Sequence, residues 1–228
     1  IPTVNVAEAV GWPGDQAPTP AAGLAVTRFA DGLAHPRWLH VLPNGDVLVA
    51  ESNAPPKPAQ KKGIRSFFMA RAMKKAGAAA PSANRITLLR DADGDGVAEM
   101  RTPLLNGLFS PFGMALVDGR LYIANADAIV SVPYREGDTR IDARPVKLAD
   151  LPGGPLNHHW TKSLLASADG RHLYVGVGSN SNVGENGMAM ETDRAAILQV
   201  DIATGARRVF ASGLRNPVGL AWEPHGGG

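Results

Sequence analysis

At 228 residues, with 44 % hydrophobic and 19 % charged residues, the chain is long enough for one domain with a sizeable core and too apolar for a disordered one. It contains no Cys, which excludes disulfide staples, thiolate metal sites and cysteine nucleophiles, and no apolar run approaches ~18 residues, the length a membrane-spanning helix needs. The net charge of +2 hides an asymmetry: residues 52–90 hold nine Lys and Arg and no acid, leaving fourteen basic against twenty-one acidic residues elsewhere, a pattern without a nucleic-acid signature.

Residues 1–23 are rich in Pro, Ala and Gly with little periodicity and read as an extended lead-in to a body spanning 24–228. The start at Ile1, without Met or a leader, reads as processed or trimmed, compatible with a removed export signal. A repeat follows. Trp38 to Leu42, a turn at Pro43-Asn44-Gly45-Asp46, and Val47 to Glu51 form one copy; Gly113 to Val117, Asp118-Gly119, and Arg120 to Ala124 form the next. A third runs from Trp160 to Ala166, turns at Asp169-Gly170 and continues from His172 to Val177, and a fourth begins at Gly213 and stops near Trp222.

Each complete copy joins two short apolar runs through an Asn-Gly or Asp-Gly turn, whose positive φ suits tight hairpins. Further strand-like runs lie between copies, at Ala128 to Val132, Ala196 to Asp201 and Arg208 to Phe210. Two hairpins at a spacing of about 50 residues match a four-stranded propeller blade. The expected fold is therefore all-β, with about three blades and the start of another before the glycines at 226–228. A sandwich of short strands is the alternative.

An insertion at about 55–80 breaks the strand pattern. Lys61 to Ala76 reads as a helix with Ile64, Phe67 and Phe68 on one face and Lys74 and Lys75 in the last turn, where they complement the helix dipole. It is expected either to pack on the rim or to meet anionic lipid or an acidic electron-transfer partner. Next, Asp91-Ala92-Asp93-Gly94-Asp95 places carboxylates at alternate positions of a glycine-bearing loop, a spacing that suits a structural Ca²⁺; Thr102 at the twelfth position departs from an EF-hand. A metal-free acidic turn is the other reading of that loop.

Two segments carry side chains that are costly to bury without a purpose: Asn157-His158-His159-Trp160-Thr161-Lys162 and Arg215-Asn216-Pro217. On a strand His158 and His159 would point to opposite faces, so that one of them faces a central channel. An imidazole there suits removal of a hydroxyl proton, and an Arg-Asn pair suits a planar anionic ligand bearing carboxylates and carbonyls. The polar run Gly178 to Gly187 reads as a long loop over the mouth.

The blades, the Asn-His-His-Trp segment with the Ala168-Asp169-Gly170-Arg171 turn and the Tyr174 to Gly178 run, and Arg215-Asn216-Pro217-Val218-Gly219-Leu220-Ala221 resemble the glucose/sorbosone dehydrogenase family. That resemblance runs from about Leu24 to Pro224 and implies the N-terminal half of a six-bladed β-propeller that uses pyrroloquinoline quinone (PQQ) and Ca²⁺. It implies His159 as the catalytic base, Arg215 as the group touching quinone and substrate, and Asn216 as a quinone neighbour. The implied reaction is oxidation of an aldose or sorbosone-type sugar to a lactone or acid, in the periplasm or outside the cell, with a cytochrome or quinone as electron acceptor. His158 stands where the soluble glucose enzymes have an acid, and the Leu108-Phe109-Ser110 region lacks their Gln, which favours sorbosone or broader aldose substrates. The competing expectations are a metal-dependent lactonase and a non-catalytic sugar- or protein-binding propeller.

Overall fold

The computed structural model describes residues 7–14, 16–56, 64–77 and 80–224. Its strands form three four-stranded antiparallel sheets, each a simple meander in chain order. The first holds β1 (Pro36–Val41), β2 (Val47–Glu51), β3 (Arg85–Arg90) and β4 (Met100–Leu105). The second holds β5 (Met114–Val117), β6 (Arg120–Ala124), β7 (Ala128–Pro133) and β8 (Val146–Asp150). In the third are β9 (Leu164–Ala166), β10 (His172–Val177), β11 (Ala196–Asp201) and β12 (Arg207–Ala211).

The repeated hairpins of the sequence are the β1–β2, β5–β6 and β9–β10 pairs. The β5–β6 turn shows why Asp-Gly sits there: Asp118 and Gly119 take φ of 46° and 69°, the double left-handed conformation of a two-residue hairpin. The third copy differs from its expected form, since Trp160 to Ser163 is loop and β9 begins only at Leu164. No strand follows β12 among the described residues, so the fourth copy is an extended segment, with the indole of Trp222 bonded to Ala166 O at 2.7 Å. The glycines at 226–228 lie outside the described residues.

Alternation along β6 explains how the sheets stack. Leu121 and Ile123 face a core shared with the first sheet, where they meet Leu48, Ile86, Leu88 and Leu104. Tyr122 and Ala124 point the other way, into a core shared with Leu173, Val175, Leu198 and Val200 of the third sheet. A sheet buried on both faces wants apolar side chains at successive positions, as at 121–124 of β6 and 128–130 of β7, and buried Ser131 accepts a hydrogen bond from Arg120 at 2.9 Å.

The innermost strands β1, β5 and β9 lie side by side, the arrangement of propeller blades about an axis. Short polar ties join them: Ser52 Oγ donates to Pro111 O at 2.6 Å, and Gly113 N donates to Lys162 O at 2.9 Å. One aromatic ring enters from each sheet. The Phe112 ring lies 5.0 Å from that of Trp38 and 6.2 Å, edge-on, from that of Trp160.

The insertion contains helix α1 (Ile64–Lys75), shorter at its start than the expected Lys61 to Ala76. Residues 57–63 and the side chain of Ile64 lie outside the described residues. Packing on the rim, one of its two expected uses, does not hold for the rings: Phe67 and Phe68 remain 66 % and 63 % exposed, and they pack edge-to-face on one another at 5.8 Å.

Because Phe112 is the ring shared by all three sheets, Phe112→Ala is expected to cost about 3–5 kcal/mol in denaturant unfolding. A loss below ~1 kcal/mol would show that the sheets do not depend on this joint.

Candidate functional site

Antiparallel pairing sets where the singled-out residues fall. Leu164 at the start of β9 pairs with Val175, Val177 at the end of β10 pairs with Ala196, and Ala211 at the end of β12 pairs with Ile197. The loops 157–163, 178–195 and 212–217 therefore emerge at one end of the third sheet. His158 and His159 sit in the first of these loops and not on a strand, so the alternation expected for them does not apply. Their local surroundings separate them instead. His158 is exposed and its backbone N donates to Asn180 O at 3.1 Å, whereas His159 is half-buried with its ring against Ser179.

His159 Nδ1 lies 2.9 Å from Ser179 O and 3.0 Å from Ser179 Oγ. The hydroxyl has one proton, and Oγ gives it to Ser181 O at 2.7 Å. Both Ser179 oxygens are then acceptors toward the ring, so Nδ1 must carry the imidazole proton and Nε2 keeps its lone pair. Among the described residues nothing hydrogen-bonds to Nε2.

Ser179 also reaches the third loop, its N–H donating to Arg215 O at 2.9 Å. The Arg215 side chain is exposed and donates from Nη2 to Asn182 Oδ1 at 2.7 Å. Asn216 turns inward: its Oδ1 is buried and lacks a hydrogen-bond partner. Between the two loops lies Gly178, where a Cβ would overlap both His159 Cβ and Asn216 Oδ1. The absence of a side chain at 178 is thus what allows the histidine and asparagine segments to approach. His159 and Asn216 are brought together there, while the Arg215 side chain lies toward Asn182 in the long polar loop.

That loop is stitched from within. Glu191, in a short 3-10 turn at Met188–Glu191, accepts from Asn180 N at 2.7 Å, Ser181 N at 3.1 Å and Ser181 Oγ at 3.0 Å. Burial alone would raise its pKa, but these donors outweigh it and hold the carboxyl ionised below its ordinary range. Buried Asn180 donates to Leu156 O and accepts from Asn186 Nδ2 at 2.8 Å, linking the loop to the segment before the histidines.

Beneath the histidines lie two cations that the sequence did not single out for a role. Arg194 donates to Asn157 Oδ1 at 2.9 Å and to Gly153 O, pinning the approach to His158. Lys162 is fully buried, and its Nζ donates to Trp160 O at 3.1 Å. Burial, reinforced by the Arg194 charge and opposed by Asp127, pushes the Lys162 ammonium from its ordinary 10.5 down to about 7. Asp127 is itself shifted upward, chiefly by burial. Arg194 is thus the lasting positive charge beside the Asn157 segment, while burial favours the neutral form of Lys162.

The Asp91 loop lies elsewhere. Asp91, Asp93, Asp95 and Glu99 offer oxygens within 4.8 Å of one another on the β3–β4 connection, at the end of the first sheet opposite to its Ser52 tie. Glu99, not the twelfth position, supplies the fourth carboxylate. Backbone N–H groups already occupy these acids: Gly94 and Gly96 donate to Asp91, at 2.7 and 2.9 Å, and Ala92 donates to Glu99 at 2.7 Å. A cavity of about 420 Å³ bordered by Arg28, Phe29, Asp31, Val97, Glu99 and Arg101 also belongs to the first sheet and touches none of the histidine, Ser179 or Arg215 loops.

The burial of Lys162 has a pH signature. With a folded pKa of about 7 against an ordinary 10.5, the unfolded chain binds the extra proton between those values, so stability rises with pH across that window and the full cost is present below pH 7. The rise should approach about 1.4 kcal/mol per pH unit, and Lys162→Met should remove it. Equal pH slopes for the two proteins in denaturant unfolding would contradict this assignment.

Three solved structures share the fold. The PQQ domain of pyranose dehydrogenase from Coprinopsis cinerea is 18 % identical, with a TM-score of 0.61, over 85 % of this chain and 42 % of that one. A calcium structure of Carbohydrate-Active Enzymes Family AA12 from Trichoderma reesei is 19 % identical, with a TM-score of 0.63, over 89 % of this chain and 46 % of that one. A Thermus thermophilus protein described as a putative oxidoreductase (glucose dehydrogenase) is 21 % identical, with a TM-score of 0.57, over 89 % of this chain and 59 % of that one. This chain thus spans between about two-fifths and three-fifths of their lengths, and no curated protein matches it. The family model described as Domain of unknown function (DUF7133) matches residues 68–226, well over half of the sequence, and the chain belongs to that family.

Proposed function

We propose that this chain supplies about half of a six-bladed propeller that oxidises an aldose or sorbosone-type sugar with PQQ, and that His159, Arg215 and Asn216 are its share of the site. The observation that carries the reading is the fixed tautomer of His159, with Nδ1–H held by Ser179 and Nε2 left as a base. The residues fit the cofactor. An exposed guanidinium suits its carboxylates and carbonyls, the buried Asn216 Oδ1 is an acceptor still lacking a donor, and the Arg194 charge beside Asn157 favours an anion. PQQ, when bound, provides an electrophilic carbonyl carbon that accepts a hydride.

His159 Nε2 takes the proton of the sugar hydroxyl as the hydride leaves the same carbon, so the sugar loses two electrons and its C–O bond becomes a carbonyl. Ser179 keeps the ring oriented and stabilises the imidazolium through the Nδ1–H bonds. Arg215, its guanidinium aimed by Asn182, would hold the carboxylates or carbonyls of the bound group and offset negative charge there. The PQQ and calcium named for the solved structures of the same fold, and the pyranose and glucose activities, support this assignment. The electron acceptor is a cytochrome or quinone, and the location is the periplasm or the cell exterior. Ca²⁺ at Asp91, Asp93, Asp95 and Glu99 is structural in this reading. A lactonase is disfavoured because Glu191 is committed to Asn180 and Ser181 and the Arg215 guanidinium beside the site opposes a bound metal.

With PQQ, Ca²⁺, an aldose and an artificial acceptor, the full-length protein that contains this chain should turn over, and His159→Ala should lower the rate by about 10²–10⁴ with the fold intact. Turnover without PQQ, or an unaffected His159→Ala protein, would defeat the assignment. Lactone hydrolysis in its place would mark a lactonase, and neither activity a binding protein.

A further inference from the structure

Helix α1 carries an exposed surface that sugar oxidation does not use. At about 100° per residue, Phe67, Phe68, Arg71, Lys74 and Lys75 fall within an arc of about 120°. All five are exposed, and the helix has no acid in its first turn. Of the nine basic residues between 52 and 90, Arg85 and Arg90 are paired with Glu51 and Asp46 at 2.8 and 2.7 Å; the other seven belong to the insertion, which has no acidic residue of its own. The Lys75 carbonyl accepts from Ala9 N at 3.1 Å, so exposed Val10 and Trp12 follow within three residues of the helix end.

We infer that α1 is a peripheral anchor for an anionic lipid surface. Two rings exposed side by side among cations are costly in water, and a bilayer interface receives both kinds of group at once. The rings enter the headgroup–acyl boundary while the Lys and Arg stems snorkel toward phosphates. An acidic protein would match the charges and leave the rings in water unless it also offered an apolar pocket. At twelve residues α1 lies along the interface, and no helix among the described residues is long and apolar enough to cross a membrane. The insertion leaves β2 beside Ser52, whose bond to Pro111 O, followed by that of Gly113 N to Lys162 O, places it at the same end of the sheets as His159. Anchoring would hold that end toward the membrane.

The test is co-sedimentation of the protein with vesicles of phosphatidylcholine alone or mixed with phosphatidylglycerol. Binding is expected to the mixed vesicles only and to weaken as salt is raised. The doubly charge-reversed Lys74→Glu/Lys75→Glu protein should bind at least about tenfold more weakly, and Phe67→Ser/Phe68→Ser should also lose binding, with melting temperatures unchanged in both. Failure to bind mixed vesicles, or binding indifferent to both variants, overturns the inference. Retention on immobilised polyglutamate by the Phe67→Ser/Phe68→Ser protein, without vesicle binding, would assign the surface to an acidic protein instead.

Discussion

Ser179 holds the histidine-bearing and arginine-bearing loops in register, and the chemistry of the site rests on how its three polar atoms are spent. Its N–H goes to Arg215 O, its hydroxyl proton to Ser181 O, and its two oxygens to the Nδ1–H of His159. With every donor committed, the serine cannot offer a proton to the imidazole, so the imidazole is the donor at Nδ1. Gly178 beside it removes the one side chain that would push the loops apart. A base with a defined bare nitrogen thus follows from main-chain geometry at the end of β10.

The sheets below explain why this junction can be held. Three innermost strands meet around the Trp38, Phe112 and Trp160 rings, and the chain leaves that cluster directly into the histidine loop. The same joint contains a fully buried lysine and a nearly buried arginine, an arrangement that lowers stability at neutral pH. Its compensation is local: Arg194 fixes Asn157, and Lys162 caps the Trp160 carbonyl.

Much of the fold was legible because turn chemistry marked it. Asn44-Gly45, Asp118-Gly119 and Asp169-Gly170 located three hairpins, and short apolar runs between them located β7 and β11. The outer strands β4 and β8 carried no such mark. They are half-exposed edges, one with Pro103 inside it, and edges need no regular apolar pattern. His159 and Asn216 were legible as residue types worth explaining, but their meeting at Gly178 depends on which strand ends share one end of a sheet. Ser179 looked like any small loop residue, since its part lies in backbone atoms. Lys162 sat in the most conspicuous run of the sequence, yet its full burial depends on packing between sheets, which no local pattern records. The helix was legible as a helix; its exposed rings were not, because a sequence does not say whether a surface exists to receive them.

The nitrogen-15 NMR spectrum of the His159 ring, in protein above the imidazole titration, reads the central feature directly. The expected spectrum is that of a neutral ring protonated at Nδ1 and bare at Nε2, reverting to a mixture in Gly178→Val, where the loops are forced apart. A ring protonated at Nε2 would contradict the account, because the nitrogen proposed to receive a sugar's proton would already carry one.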